Sequence, residues 1–588
     1  MVRVLAPGVC SLVIAVLLTA LCKRVGRRLG LVALPRADRW HRGAVPLLGG
    51  VAIGLGFAAV APFAVPLTPL IATLVGGGAV LFALGLADDL QTLTPHTKLI
   101  TEIVVAAILA ALGLQFRLTT VPALNIALTV FWIVAITNAF NLLDNMDGLA
   151  AGIAVVTVGF RLAFFIVDGD LENAALASAF LGALLGFLVH NFPPASIFMG
   201  DAGSLLIGLF VAGLSLIGSF PHSRGVLSVL LVPVLILLVP IFDTTFVTIS
   251  RILARRPVSV GGRDHTSHRL VALGLTERQA VLWLYGVAFA SGLVAYFTRA
   301  AGFAYAVVLI AFLILGTIIL GVFLSRTRVY PDEAAQAAGE NLFFRLFTIV
   351  STRRQLVTVF VDLGLVILAY YSAYLLRFEQ TFGLYEKEII ASLPIVIACQ
   401  IGAFGVFRVH YAIWRYTGLQ DVIRIVQAAS AGTVASVIVL VYAYRFVGYS
   451  RAVFVLDWML LIVFVSAVRV SFRLLAEYLR RDAGSAPRVL VYGAGEGGMV
   501  MLRELHLNAA LGRSLVGFVD DDPVKQHRSM QGVPVLGGTD ELPGIIRRYH
   551  VQELVIASTK IPDERVQRVE QICEEQGVRT LRAGVHLG

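Results

Sequence analysis

Apolar runs of roughly 18 to 24 residues recur along this 588-residue chain, and about 20 such residues cross the hydrocarbon core of a bilayer. No water reaches that core to satisfy a backbone, so each run must close its own hydrogen bonds as a helix. About eleven runs precede position 325 and four more lie between 355 and 473. From about 486 onward the sequence is of ordinary soluble character. The expected fold class is therefore a polytopic α-helical membrane protein, of about 11 + 4 transmembrane helices, with a C-terminal cytoplasmic α/β Rossmann-like domain.

Charge orders these spans. Only 14% of residues are charged, against about 25% in soluble chains. The net charge of +10 is one that nucleic-acid binders share, but its placement excludes that class. Lys23, Arg24, Arg27, Arg28, Arg36, Arg39 and Arg42 crowd one loop, Arg251, Arg255, Arg256, Arg263 and Arg269 a second, and Arg326, Arg328, Arg345, Arg353 and Arg354 a third. Alternate loops such as Asp168 to Glu172 are poor in positive charge. This is the positive-inside pattern. It predicts a cell-membrane protein with these loops and the C-terminal domain in the cytoplasm. The first run, Val4 to Leu21, lacks a small-x-small cleavage site and reads as a retained helix. Cys10, Cys22, Cys399 and Cys573 form no Cys-x-x-Cys pair, so no zinc or disulfide framework is expected.

The domain reading follows. Residues 1–325 form a polytopic unit with Asp-, Asn- and His-rich loops, 326–354 a polar connector, and 355–482 a four-helix membrane unit. Residues 486–588 alternate strand and helix, with strands at Val489–Tyr492, Leu515–Val519, Glu553–Ala557 and Val578–Leu581, which indicates a parallel sheet.

Within the first unit, Asp88, Asp89, Asn138, Asn141, Asp144, Asp147, Asn191, Asp201, Asp264, His265 and His268 fall at or near one membrane face, whereas Asp243 lies inside a span. An acid within a span costs about 2.5 to 3.5 kcal/mol on insertion scales. Several acids at one depth therefore point to a shared site with a metal or cationic partners. Asn138, Asn141, Asp144 and Asp147 are each three apart, a spacing that puts neighbours on one helical face. Asp201 is flanked by Gly200 and Gly203, where a substrate or metal can approach the backbone. Carboxylates facing a phosphate need a hard cation between them, and Mg²⁺ fits, with Mn²⁺ the alternative ion. Each of these motifs alone also reads as a solvated helix end, an interhelical hydrogen bond or a basic loop. Their joint occurrence on one face carries the argument.

Six stretches, in order, resemble the polyprenyl-phosphate N-acetylhexosamine-1-phosphate transferases. They are His41–Gly50, Gly85–Asp89 with Lys98, Asn138–Gly148, Asn191–Ser204, Pro240–Asp243 and Asp264–Arg269. The resemblance covers over half the chain. It implies a UDP-sugar and polyprenyl (undecaprenyl) phosphate as substrates, UMP as product, Mg²⁺ as cofactor and glycan assembly as the setting. It further implies Asp88, Asp89, His265 and His268 as catalytic, Asp201 as the metal ligand, and His41, Lys98, Asn138, Asn141, Asp144, Asp147, Asn191 and Arg263 as substrate-binding. Three positions depart from the family pattern. Ala33 stands for an Asp, the His-x-His-His signature reads His265-Thr-Ser-His268, and Glu102 stands for a Gln.

In the soluble part, Gly493-Ala-Gly-Glu-Gly-Gly498 follows a strand and precedes a helix, and Asp520 ends the next strand. That is a dinucleotide-binding context, with phosphate at the helix N-terminus and the acid on a ribose. Gly493, Gly495, Gly498 and Asp520 are the candidate cofactor-binding residues. Residues 345–588 also resemble the N-terminal half of membrane-bound nucleotide-sugar dehydratases and epimerases, through Ala373–Phe378, Trp414–Tyr416 and Val489–Pro523. No Tyr-x-x-x-Lys is present, so the implied role is nucleotide sensing without redox catalysis. The expected partners are a UDP-sugar, polyprenyl phosphate and the lipid bilayer, with no nucleic acid; a homodimer is left open. Two other classes compete. A transporter would place its charges at the midplane with related halves, and a dead scaffold would not keep Asp88, Asp89 and Asp201.

Overall fold

The computed structural model describes residues 1–33, 44–91, 93–217, 226–253, 262, 264–300, 303–325, 354–411, 418–478, 487–507, 513–530, 533–557 and 561–582. His41, Arg263, Trp414–Tyr416 and nearly all of the 326–354 connector lie outside these. The chain forms two compact units, residues 1–480 and 481–588.

The first unit is helical. Its elements are α1 Val2–Arg28, a small β1–β2 pair (Val32–Ala33, Val45–Pro46), α2 Gly49–Ala58, α3 Ala61–Ala64, α4 Pro69–Gln91, α5 Pro95–Ala111, α6 Pro122–Leu143, α7 Leu149–Val167, α8 Leu171–Asn191, α9 Gly200–Leu216, α10 Val226–Ile236, α11 Leu238–Leu253, α12 Thr266–Ala272, α13 Glu277–Ala300 and α14 Phe303–Ser325. After the connector come α15 Arg354–Phe378, α16 Glu386–Val406, α17 Leu419–Tyr444 and α18 Arg451–Tyr478. Ten helices among the described residues are long and apolar enough to cross a membrane, or eleven if α10 and α11, bent by 80°, are one span. Fewer meet that standard than the fifteen runs expected, because α2–α3, α9 and the apolar part of α14 are shorter.

Packing relies on small residues, as is usual where lipid removes the hydrophobic drive between helices. A Cβ on Gly182 would strike the Gly8 carbonyl, and one on Gly186 the Leu12 carbonyl, so α1 and α8 meet at backbone distance. The second bundle has its own core, built on Leu365, Tyr370, Phe404, Ile425 and Leu461. Near one end it holds a buried ionic knot. Asp362 accepts from His410 Nδ1 at 2.9 Å and from Arg469 Nη2 at 3.2 Å, and Arg469 also donates to the Val409 carbonyl. The two bundles share α14. Leu315 belongs to the second core, Phe323 packs on both cores, and the Phe312 and Phe464 rings meet edge-on at 4.8 Å.

The second unit is an α/β fold with strands β3 Arg488–Tyr492, β4 Ser514–Val519, β5 Ser529–Met530, β6 Val533–Gly537, β7 Glu553–Ile556 and β8 Arg579–Arg582. Its helices are α19 Glu496–Leu507, α20 Leu542–Tyr549 and α21 Asp563–Glu575. The strand order is β5-β6-β4-β3-β7-β8, with only the β5–β6 pair antiparallel. The five parallel strands reverse direction of winding between β3 and β7, the crevice where such sheets take ligands. β5 and β6 are additions to the expected strands; β5 has only two residues, and Pro534 masks β6.

Candidate active site

The site begins with a close approach of α4 and α9. A Cβ on Gly85 would fall on the Asp201 backbone, so only glycine lets the two helices meet there. Gly200, at φ +69°, then turns the chain into α9. Asp89 accepts from the Asp201 and Ala202 amides at 2.8 and 3.1 Å. These are orphan donors of the helix N-terminus, and a carboxylate there is doubly favoured. Across the cleft, Thr94 caps α5 by accepting from the Thr97 amide, which places Lys98 in the helix's first turn. Lys98 Nζ donates to Asp88 Oδ2 at 2.9 Å and to Asp201 Oδ2 at 2.8 Å. The Leu93 amide holds the other oxygen of Asp88. Side-chain exposures of 23% for Lys98 and 29% for Asp201 leave the group open to a ligand.

Three carboxylates thus gather around one ammonium, and the surplus is negative. Among the described residues no group of three or more His, Cys, Asp or Glu side chains forms a ready metal cage. That suits a cation which takes one or two carboxylates and fills its shell with phosphate oxygens and water, as Mg²⁺ does. The donor set fits Mg²⁺ arriving with a diphosphate, and fits no all-protein metal centre.

The end of α6 ties this cluster to its neighbours. Asn141 Nδ2 donates to Ser204 Oγ at 2.9 Å. Asn138 Nδ2 donates to the Val134 carbonyl at 2.9 Å and also to Glu102. The expectation that Asn138, Asn141, Asp144 and Asp147 line one helical face holds only for the first two. α6 ends at Leu143, Asp144 is its C-cap, and the chain turns through Gly148 at φ +72°. Asp147 sits in that turn and accepts from the Ala195 amide at 2.7 Å. Asn191 is held internally. It is 2% exposed, with its oxygen on the Gly148 amide and its nitrogen on the Ile197 carbonyl. It braces the turn from behind.

A second cluster lies on α11 and α12. His265 Nδ1 pairs with Asp243 Oδ2 at 2.8 Å, and the Thr266 amide and hydroxyl both donate to Asp243 Oδ1. Asp243 is therefore the group that orients His265, through Nδ1. The His268 ring centre is 6.2 Å from that of His265. Arg251 pairs with Asp264 at 2.9 Å, and Arg269 donates to the Asp264 and Leu324 carbonyls. Ser267 Oγ donates to Asn145 Oδ1 at 2.7 Å, so the α6 end bridges both clusters. Spacing could have placed Glu102 in the site. Glu102 lies four residues after Lys98, and an acid inside an apolar span needs a partner.

In the second unit Gly493, at φ +102°, makes the turn after β3. A Cβ on Gly498 would strike the Gly493 carbonyl, whereas one on Gly495 would meet open space. Asp520 is engaged at the turn itself. One of its oxygens accepts from the Ala494 amide at 2.7 Å and from Lys525 Nζ at 3.1 Å, and the other from the Asp522 amide. It closes the glycine turn from within. Next to it, burial works to raise the Asp521 carboxyl's pKa, but donors Tyr492 and Thr539 and the charge of Arg565 prevail and hold it below the usual range. Burial pushes the Tyr492 hydroxyl up to about 12.

Two family profiles match the chain, and the second spans residues of both units. The glycosyl transferase family 4 profile matches residues 71–219, and that of a CoA-binding domain matches residues 407–582. A protein of Bacillus subtilis named a probable undecaprenyl-phosphate N-acetylglucosaminyl 1-phosphate transferase is 36% identical over 299 residues, covering 49% of this chain and 83% of its own. The decaprenyl-phosphate N-acetylglucosaminephosphotransferase of Mycobacterium tuberculosis is 33% identical over 317 residues, covering 47% of this chain and 78% of its own. The capsular polysaccharide biosynthesis protein CapD of Staphylococcus aureus is 23% identical over 232 residues, covering 39% of this chain and 38% of its own.

Proposed function

The chain belongs to the polyprenyl-phosphate N-acetylhexosamine-1-phosphate transferases, and from that premise we propose that it moves N-acetylhexosamine-1-phosphate from a UDP-sugar to a polyprenyl phosphate. The observation that carries the reading is Lys98 held between Asp88 and Asp201 while Asp89 braces the start of α9. An oxygen of the lipid phosphate attacks the phosphorus attached to the sugar. A new P–O bond forms, the bond to the bridging oxygen breaks, and UMP leaves with that oxygen. Such a transfer needs positioning and charge neutralisation more than covalent help. A phosphate monoester has its second pKa near 6, so the attacking group is largely ionised at neutral pH and needs orientation more than a base. Lys98 is the group that would meet the ionised phosphate, and Asp88 acts by holding that ammonium in place, while Asp89 is committed to two amides. Mg²⁺ bound at Asp201 would offset charge on the diphosphate. The basic loops support a cytoplasmic site, reached by a soluble nucleotide and a lipid headgroup alike.

The expected result with detergent-purified protein, undecaprenyl phosphate and UDP-N-acetylglucosamine is UMP release. It should stop when the lipid phosphate is omitted, and stop with EDTA and resume with Mg²⁺. Release unaffected by EDTA would remove the metal from the scheme, and no release with any UDP-sugar would remove the function.

For the second unit we propose a regulatory nucleotide site at the β3–α19 turn, for a ligand carrying a nucleoside diphosphate, such as a UDP-sugar, a dinucleotide or coenzyme A. Support comes from the turn's position at the reversal of strand order and from the space in front of Gly495. Gly495→Trp in the full-length protein is expected to abolish calorimetric binding of such a ligand at this site while transfer activity persists. An unchanged isotherm would exclude the turn.

A further inference from the structure

Glu102 is 3% exposed and lies one helical turn beyond Lys98 on α5. Its neighbour Asn138 is half-buried, one turn before Asn141 on α6. The pair therefore sits directly beneath the Asp88–Lys98–Asp201 group, where the resemblance to known transferases puts a Gln in place of the Glu.

The chemistry of the pair is asymmetric. The Asn138 nitrogen has two hydrogens, and both are used, one on a Glu102 oxygen and one on the Val134 carbonyl. A backbone carbonyl never donates, and an ionised carboxylate only accepts. With Glu102 ionised, turning the amide over would aim its oxygen at two acceptors at once. The orientation, which an asparagine alone leaves ambiguous, is thus set by its surroundings. Among the described residues no donor reaches the Asn138 oxygen.

We propose that Glu102 is a positioning residue that locks Asn138 as a hydrogen-bond acceptor toward the nucleotide-sugar. This rests on the transferase reading given above. The ligand group meeting Asn138 is then an O–H or N–H, namely a sugar hydroxyl, the acetamido N–H or the uracil imide, and never a phosphate oxygen. Asn138 is a specificity contact, separate from the charged group above it that handles the diphosphate.

The test uses the full-length enzyme and a panel of UDP-N-acetylglucosamine analogues. Each removes one donor at nearly constant shape: single hydroxyls replaced by fluorine, the acetamide N-methylated, or the uracil N3-methylated. Wild type is expected to lose about ten-fold or more in kcat/KM with one analogue. Glu102→Leu should raise KM for the parent substrate and bring that discrimination close to one. Glu102→Gln should retain most of it, because its side-chain oxygen can accept the same hydrogen. Asn138→Ala, with Glu102 intact, should also lose it, and serves if Glu102→Leu does not fold. Comparable use of every analogue by wild type, or full discrimination by folded Glu102→Leu, would overturn the proposal. Absence of turnover with the parent substrate would instead count against the transferase reading.

Discussion

Asp201→Asn is expected to lower UMP release by about a thousand-fold, the scale on which preorganised charge acts in transfer reactions, while thermal unfolding of the purified protein stays close to that of wild type. The substitution keeps shape and removes one charge. Lys98 then has Asp88 alone to hold it, and the diphosphate loses the carboxylate best placed to share a cation. Folding should tolerate the change, because Asp201 keeps 29% of its side-chain surface and its backbone amide is held by Asp89. Asp89→Asn makes an instructive contrast. An amide can accept from one of the two α9 amides but turns its own nitrogen on the other. That variant should lose both turnover and about 1 kcal/mol of stability, as capping substitutions do. Near-normal release by Asp201→Asn would sink the assignment.

The largest expected effect on stability lies far from the chemistry, at Arg469. Asp362 and Arg469 are 0% and 1% exposed. Removing one partner of such a pair strands the other's charge, at a cost of about 3–5 kcal/mol. Arg469→Met should therefore lower the unfolding temperature of the detergent-solubilised protein markedly. The double variant Asp362→Leu with Arg469→Met should recover most of the loss, because two apolar side chains replace the buried charged pair. An unchanged midpoint for Arg469→Met would mean that solvent reaches the knot.

The membrane helices and the β–α alternation of the second unit are legible in sequence because each follows from one dominant local signal, unbroken apolar length or buried strand against amphipathic helix. The acids of the site are legible because burying them in a membrane chain is costly. Three kinds of feature are not. The turn after Leu143 depends on Gly148 at positive φ, and helical spacing alone continues through it to Asp147. The use of Asn191 and Asp520 as internal braces depends on which backbone amides come near them, a tertiary fact. The pairing of Asp243 with His265 spans 22 residues, and the sequence shows only that Asp243 needs some partner.

Helix α14 is a party wall. One face completes the first core and the other the second, and its last turn receives Arg269 from the histidine segment. Lipid tails are about as apolar as leucine, so a chain lacking the second bundle would give the outer face of this wall to the bilayer at little cost. The inner face and the Arg269 contact would be untouched. A helix of this kind can complete the first bundle whether or not the second stands beside it. The Bacillus subtilis and Mycobacterium tuberculosis relatives match 49% and 47% of this chain.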